Sequence, residues 1–316
     1  MQAIQGLHHV TAVARDPQRN IDFYRNILGQ RFVKRTVNFD APDTYHFYFG
    51  DQVGSPGSIL TFFAWPEMRR GVRGNGETNA LAYKVKKDSL EFWEEHLKKN
   101  NVSTNPIEIR FGEKVLSFED SDSMRVELIE SESASSTKFW EDSPIPQEYA
   151  LQGFHSVTLW VDELERTADL LTKNMGYRIA GQEENRYRFI GDKNVSGYIV
   201  DILHRPGKMS ASFGAGSIHH IAFRVPNDEA QLEYQSLIHD AGFHITEVMD
   251  RNYFHSIYFR EHAGILFEIA TDTPGFDIDE PVETLGETLK LPKWFEPNRK
   301  AIEESLLPIT LKPFEK

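Results

Sequence analysis

The sequence of 316 residues contains no cysteine. This absence excludes disulfides, thiolate nucleophiles, cysteine-based zinc sites and iron–sulfur clusters. A metal ion in this protein would therefore have to be bound by histidine, aspartate or glutamate side chains.

Long apolar runs and an excess of positive charge are also missing. No run approaches the roughly 20 apolar residues that a membrane helix needs. The opening residues, MQAIQGLHHV, lack the basic segment and apolar core of a signal peptide. A formal net charge of −13 argues against binding to phosphate backbones. We therefore expect a cytoplasmic protein that binds neither membrane nor nucleic acid, and a homo-oligomer is compatible with the sequence.

One cycle of secondary structure occurs four times along the chain: a strand, a helix and further strands. The first strands of the four cycles are LHHVTAVA, NALAYKV, FHSVTLWV and IHHIAFRV. In the first cycle, Asp16 can cap the helix and Pro17 stands at a first-turn position that tolerates proline. The pattern predicts an α+β fold of four βαβββ modules.

Composition changes suggest how the modules are divided along the chain. We predict an N-terminal pair of modules over residues 1–135 and a C-terminal pair over residues 153–272. The polar, proline-bearing stretch 136–152 would link them. The tail, residues 273–316, reads as loop with one short helix near EPNRKAIEESLL.

Four such modules resemble the vicinal oxygen chelate superfamily, the fold of glyoxalases and extradiol dioxygenases. The resemblance covers about residues 4–272. It implies that the modules form two half-open barrels, each made by two modules, and that such a pair surrounds a metal ion. Because one fold supports several chemistries, the site residues must decide the function.

Two histidine pairs occupy equivalent positions in the first and fourth modules, within GLHHVT and IHHIAF. Side chains alternate between the two faces of a strand, so the members of each pair should face opposite sides. The residues that share a face with His8 and His219 are apolar, whereas those beside His9 and His220 are smaller or polar. We expect His9 and His220 in the cavity, with the other two behind them or at the strand entrance.

The fourth strands of the modules align Thr61, Glu127, Asp201 and Glu268 in one column. A carboxylate among apolar residues is costly unless it is paired or metal-bound, so the acids alone do not choose a site. Only the first and fourth modules together supply two histidines and one carboxylate. This predicts a metal site at His9, His220 and Glu268, a set typical of non-haem Fe(II) oxygen chemistry.

The near copy GFHSVT in the third module keeps the first histidine and has serine in place of the second, so it should hold no metal. We interpret seven further histidines as structural or surface residues: His46, His96, His155, His204, His239, His244 and His262.

A narrower resemblance spans nearly the whole chain. The motifs GLHHVT, YHFYFGD, GSIHHIAF and RNYFHSIYFREHAGILFEIA look like those of hydroquinone-type ring-cleaving dioxygenases. The resemblance implies Fe(II), with Mn(II) as the alternative, a small aromatic substrate, O2, and a role in aromatic catabolism or detoxification. It implies the same three metal ligands, and it implies roles near the metal for His8, His219, Arg251 and Tyr258. Tyr258 or one of the two histidines would supply a proton, and Arg251 would hold anionic oxygens.

Three other functions on this scaffold remain open. A glyoxalase-like isomerase or thiol transferase would need a fourth protein ligand, where this chain has Thr61. A binding protein of the bleomycin-resistance kind would not need the metal ligands. A catechol-type extradiol enzyme would take its ligands from the second half of the chain, where Ser156 replaces a histidine.

Overall fold

The computed structural model describes residues 3–132, 137–192 and 195–314. The predicted boundary between residues 135 and 136 lies outside the described residues. Within them, the chain forms sixteen strands and five α-helices.

The order of these elements is the predicted cycle, repeated four times. The strands are β1 Leu7–Ala14, β2 Arg31–Asn38, β3 Ala41–Gly50, β4 Ile59–Ala64, β5 Glu77–Val85, β6 Glu108–Arg110, β7 Glu113–Glu119, β8 Arg125–Glu130, β9 Phe154–Val161, β10 Arg178–Glu183, β11 Arg186–Ile190, β12 Ile199–His204, β13 Ile218–Val225, β14 Met249–Asp250, β15 Phe254–Arg260 and β16 Leu266–Pro274. The helices are α1 Pro17–Ile21, α2 Leu90–Lys99, α3 Leu164–Asp169, α4 Asp228–Asp240 and α5 Arg299–Ser305, and π-helical turns at Asp22–Ile27 and Leu170–Asn174 continue α1 and α3. Each module is one strand, one helix and three strands, with α1 to α4 in modules 1 to 4.

Modules from opposite halves of the sequence share a sheet. The first sheet has the order β14-β15-β16-β13-β1-β4-β3-β2, and the second has the order β10-β11-β12-β9-β5-β8-β7-β6. Modules 1 and 4 therefore form one half-open barrel, and modules 2 and 3 form the other. This confirms the predicted fold and the pairing of modules 1 and 4, while the division of the chain into domains stays a prediction.

The helices begin and pack as their sequences suggest. The side chain of Asp16 accepts hydrogen bonds from the backbone N–H groups of Gln18 and Arg19 at 2.9 and 3.0 Å, which caps the first turn. Helix α2 buries Trp93 and Leu97 against its sheet, and each such side chain stabilises the fold by about 1.5–3 kcal/mol relative to exposure. Among the described residues, no helix has the length and apolar character needed to cross a membrane.

Every module carries a β-bulge at the same position of its first strand. In each antiparallel pairing between first strands, one residue of each strand is skipped. The skipped residues are those of the first-histidine column: His8, Asn79, His155 and His219. A bulge inserts an extra residue and breaks the strict alternation of sides. The expectation that the two histidines of a pair face opposite sides therefore does not hold locally.

The C-terminal tail packs along β2, the edge strand of the first sheet. The ammonium of Lys34, which is fully buried, lies 2.8 Å from carboxylate oxygens of both Asp279 and Glu280. Arg35 of β2 forms a parallel bridge with Leu289. An exposed edge strand is a template for unwanted pairing, so the tail both covers this edge and fixes the position of β2.

Candidate metal centre

Three side chains from neighbouring strands of the first sheet converge at one point. The Nε2 atoms of His9 on β1 and His220 on β13 are 3.4 Å apart. The Oε2 atom of Glu268 on β16 is 3.3 Å from the first nitrogen and 3.0 Å from the second. In the part of the chain that the structure describes, these three residues form a buried group compact enough to hold one metal ion.

Strand register explains why these residues meet. In module 4, Ala222 lies two residues after the histidine and pairs with Glu268. In module 1, Thr11 lies two residues after His9 and pairs with Thr61. Thr61 therefore occupies the position that corresponds to the glutamate, as the sequence alignment predicted.

Glu268 is fully buried, and its two carboxylate oxygens differ in their hydrogen bonding. Its Oε1 atom accepts a hydrogen bond from the Ser256 hydroxyl, whereas Oε2 has no hydrogen-bond partner of good geometry among the described residues. Burial alone would raise the pKa of Glu268, but the facing imidazoles of His9 and His220 outweigh it and hold that pKa well below its usual range. A buried anionic oxygen without a donor is costly, and a cation between it and the two imidazoles would satisfy it.

The first histidine of each pair contacts the second. His8 Nδ1 lies 2.9 Å from His9 Nδ1, and His219 Nδ1 lies 2.7 Å from His220 Nδ1. Burial and then the adjacent imidazole lower the pKa of His8 well below its usual value and that of His219 to about 3. Both imidazoles are therefore neutral at neutral pH. The Nδ1 atom of each can accept a hydrogen bond from the Nδ1–H group of the histidine that follows it. Such a bond leaves the Nε2 lone pair of the second histidine free for a metal ion.

A cavity of about 320 Å³ opens onto His9 and His220, with Glu268 buried behind them. This volume falls in the range of small-molecule sites. Aromatic side chains provide much of its wall: Phe39, Tyr48, Phe63, Trp65, Phe254 and Tyr258. The cavity therefore combines flat aromatic surfaces with a smaller number of polar side chains.

The structure brings three of the four remaining predicted site residues to this cavity. Arg251 and Tyr258 line it, and Arg251 Nε donates a hydrogen bond of 3.2 Å to the Tyr258 hydroxyl. Tyr258 pairs with Glu268 across β15 and β16, so it faces the same side. His219, the second residue of β13, also lines the cavity. His8 stays behind His9.

Sequence reasoning missed three residues of the site. His46, interpreted as structural or surface, lines the cavity together with Tyr48, and Ser256 holds the glutamate. A signal was present: aligning YHFYF of module 1 with HSIYF of module 4 places His46 over Ser256 and Tyr48 over Tyr258.

The second sheet fills the corresponding positions differently. Glu127 receives two hydrogen bonds from Arg110, at 2.7 and 3.1 Å. Asp201 receives two from Arg188, at 2.9 and 3.1 Å. His155 contacts Glu113 at 3.1 Å. In the second sheet, arginines thus satisfy both acids. The corresponding acid of the first sheet, Glu268, faces imidazoles instead.

Comparison with known sequences decides the family. Residues 6–128 and 153–269 match the family described as the Glyoxalase/Bleomycin resistance protein/Dioxygenase superfamily. The chain belongs to this superfamily.

Within the superfamily, full-length relatives carry the names of ring-cleaving enzymes. The protein named "Putative ring-cleaving dioxygenase MhqO" of Bacillus subtilis (strain 168) is 45% identical over 315 residues, which cover 98% of each chain. The "Chlorohydroquinone/hydroquinone 1,2-dioxygenase" of Sphingobium indicum is 33% identical over 316 residues, which cover 97% of this chain and 96% of that protein. These similarities confirm the assignment to the ring-cleaving dioxygenase enzymes.

Solved structures agree with the sequence relatives. A structure described as a "putative dioxygenase" from Bacillus subtilis has a TM-score of 0.94 and 43% identity, and covers 99% of this chain and 100% of that one. Glyoxalase I from Zea mays has a TM-score of 0.65 and 14% identity, and covers 90% of this chain and 97% of that one. The second similarity concerns the fold alone.

Proposed function

We propose that the protein is a metal-dependent dioxygenase that cleaves the ring of hydroquinone-type aromatic compounds. The observation that carries this proposal is the convergence of His9, His220 and Glu268 beside an aromatic cavity that the two histidines line. Two imidazoles and one carboxylate occupy one side of a metal ion and leave the opposite positions open, the arrangement of non-haem Fe(II) oxygenases. Fe(II) is the proposed metal, with Mn(II) as the alternative.

The residues fit such an ion. The unsatisfied Oε2 of Glu268 supplies one negative charge, and the two histidines supply neutral nitrogen ligands when their Nδ1–H groups are held by His8 and His219. When bound, the metal supplies a Lewis-acidic, redox-active centre at which an electron-rich aromatic and O2 can react.

We assign the remaining roles to side chains at the cavity wall. Arg251 carries a positive charge beside the site and would hold an anionic substrate oxygen. Tyr258 keeps its proton at neutral pH, because burial raises the pKa of its hydroxyl; we assign it as the proton donor, with His8 and His219 as the alternatives. In the primary assignment those two histidines orient the ligand imidazoles.

The relatives support the substrate class. One full-length relative is named a chlorohydroquinone/hydroquinone 1,2-dioxygenase, and an aromatic wall suits a planar ring. The corresponding role in the cell is the catabolism or detoxification of hydroquinones in the cytoplasm, with the substrate and O2 as its small-molecule partners.

The position of Thr61 disfavours a glyoxalase-like reaction. A fourth protein ligand would have to come from this position, but the Thr61 hydroxyl donates to Thr11 at 2.8 Å and contacts His46 Nε2 at 2.9 Å. A threonine engaged in this way is a poor metal ligand. The protein would therefore supply three ligands to a bound metal ion, without a fourth from Thr61.

Metal analysis combined with an oxygen electrode tests the proposal. Protein loaded anaerobically with Fe(II) should hold about one ion per chain, as one set of three ligands requires. It should consume O2 when hydroquinone is added. His220→Ala should lose both the metal and the uptake. Full metal content in that variant, or no uptake with any hydroquinone or catechol, would contradict the proposal.

A further inference from the structure

The side of the cavity opposite the carboxylate has its own polar structure. The three candidate ligands come from β16, β13 and β1, which are adjacent in the sheet. The next strands in the order, β4 and β3, contribute Thr61, His46 and Tyr48 instead of a ligand. These three side chains therefore lie beside the candidate ligands without belonging to the ligand set.

A chain of hydrogen bonds runs along this wall. Thr61 donates to Thr11 at 2.8 Å, so the Thr61 oxygen accepts from His46 Nε2–H, 2.9 Å away. His46 Nδ1 is then left as an acceptor, and the Tyr48 hydroxyl donates to it at 3.0 Å. The chain fixes the tautomer of His46 and the direction of the Tyr48 O–H bond.

His46 is suited to this place because it is neutral. Burial, followed by the proximity of His220 and His9, lowers the pKa of His46 well below its usual value. A neutral imidazole can both donate through Nε2 and accept through Nδ1, whereas an imidazolium could only donate.

The orientation of Tyr48 determines what it offers to a ligand. Its hydrogen is engaged by His46, so the phenolic oxygen presents a lone pair, and Tyr48 lines the cavity. A lone pair recognises a donor, such as a hydroxyl group that keeps its proton.

The part of the cavity beyond β16, on the other side of the three ligand strands, has the reverse character. Arg251 is a cation that lines the cavity beside Tyr258, and a cation favours an ionised oxygen. One wall therefore matches a phenolate and the other matches a protonated hydroxyl. A hydroquinone that has lost one proton carries both groups, at opposite ends of its ring.

We propose that Tyr48, oriented by His46, binds the second hydroxyl of the substrate and thereby selects hydroquinones over aromatic compounds with a single hydroxyl. The inference rests on the proposed function, because it takes the first oxygen to lie at the metal centre. Tyr48 is a substrate-binding residue in this account, and His46 is a positioning residue that acts through it.

The test is calorimetric titration of hydroquinone and of phenol into Fe(II)-loaded protein without O2, so that binding is measured without turnover. Phenol differs by the second hydroxyl alone. A hydrogen bond of ordinary strength gives a preference of up to about 10-fold, and we expect hydroquinone to bind about 10-fold more tightly than phenol. Tyr48→Phe should reduce this ratio to about 2-fold or less while leaving the affinity for phenol unchanged.

Two further variants sharpen the result. His46→Phe keeps the ring volume but removes the acceptor that holds the Tyr48 hydrogen, so the preference for hydroquinone should fall while phenol binding persists. Tyr45→Phe is the matched control, because Tyr45 lies on the same strand, packs in the hydrophobic core and should keep the full preference.

The outcomes separate this inference from the proposed function. A wild-type protein that binds both compounds equally, or a Tyr48→Phe variant that keeps the 10-fold preference, would overturn the role of Tyr48 and leave the dioxygenase proposal standing. A wild-type protein that binds neither compound would overturn both.

Discussion

The first and second sheets form two half-open barrels with equivalent strand positions. The side chains at these positions differ between the two barrels, and so do their interactions. In the first sheet, Glu268 faces two imidazoles and keeps one oxygen without a hydrogen bond from the described residues. In the second sheet, Glu127 and Asp201 are each held by an arginine through two hydrogen bonds. The same strand position thus serves a candidate metal site in one barrel and an internal ion pair in the other.

In each sheet a contact also joins the two edges. In the second sheet, the turn between β6 and β7 reaches the far edge, where the Phe111 backbone N–H donates to Glu183 at 2.8 Å. In the first sheet, an ion pair of 3.3 Å between Arg251 and Asp40 joins the edges beside an open cavity.

The comparison of Glu268 with Glu127 and Asp201 shows that a buried acid by itself does not indicate a metal site. A buried acid that no arginine or lysine satisfies is the better indicator.

Glu268→Gln should produce the largest change. The amide keeps the shape and can still accept from Ser256, but it removes the negative charge that holds the ion. We expect metal affinity to fall by more than about 100-fold, beyond the 10–100-fold that follows loss of a residue supporting a ligand, and ring cleavage to be lost. Metal analysis after dialysis and an oxygen electrode measure both effects. Retention of stoichiometric metal would contradict the assignment.

Glu127→Gln is the matched change in the second sheet and should affect stability instead. It removes the buried one of the two carboxylate partners of Arg110, which also pairs with Glu108. Because complete loss of a buried partner costs about 3–5 kcal/mol in other proteins, we expect a loss of stability below that range. Urea unfolding should show this loss, while the metal content of the folded protein stays at the wild-type level. A loss of metal equal to that of the Glu268 variant would remove the distinction between the two sheets.

His219→Ala and His155→Ala compare the bulge histidines of the two sheets. Removing His219 takes away the acceptor for His220 Nδ1, and metal affinity should fall by about 10–100-fold. Removing His155 breaks a contact with Glu113 and should leave metal affinity unchanged. Competition with a chelator measures both affinities. Equal effects from the two changes would show that the bulge histidines act only through the fold.

As pH falls, the contribution of His219 in the first sheet to the free energy of unfolding should decrease first. The contribution of the Arg110–Glu127 pair in the second sheet should decrease only at lower pH. The folded pKa of His219, about 3, lies below its unfolded value of about 6.5. The stability difference between metal-free wild type and His219→Gln should therefore be greatest above about pH 6.5 and shrink as pH falls. The Arg110 guanidinium more than offsets burial and lowers the pKa of Glu127, so that pair should weaken only below about pH 4.5. Urea midpoints at pH 7, 5.5 and 4 measure this. A difference that grows on acidification would have the wrong sign.

The fold and the core of the candidate site could be predicted from the sequence because periodicity gives the modules, while the resemblance to the vicinal oxygen chelate superfamily implies that two modules surround a metal ion. The repeat of strand, helix and three strands fixes the modules, and the parallel pairing of the first and fourth strands makes Thr61 and Glu268 equivalent. Only one pair of modules then supplies two histidines and an acid. This reasoning identified the pair that shares the first sheet.

The remaining features depend on information that periodicity does not contain. A bulge shifts the register by one residue, so the inward position of His219 could not be read from alternation. Arg110 reaches Glu127 from another strand of the same sheet, and its contact depends on barrel curvature. The tail satisfies Lys34 through Asp279 and Glu280, residues more than two hundred positions away in sequence.

Anomalous diffraction from crystals of the Mn(II)- or Fe(II)-loaded protein tests the central claim most directly. The account predicts one metal peak per chain, bound by His9 Nε2, His220 Nε2 and Glu268 Oε2, with no peak among the arginine-paired acids of the second sheet. A peak coordinated by Glu127 or Asp201, or a first sheet that stays without metal while the protein is active, would contradict it.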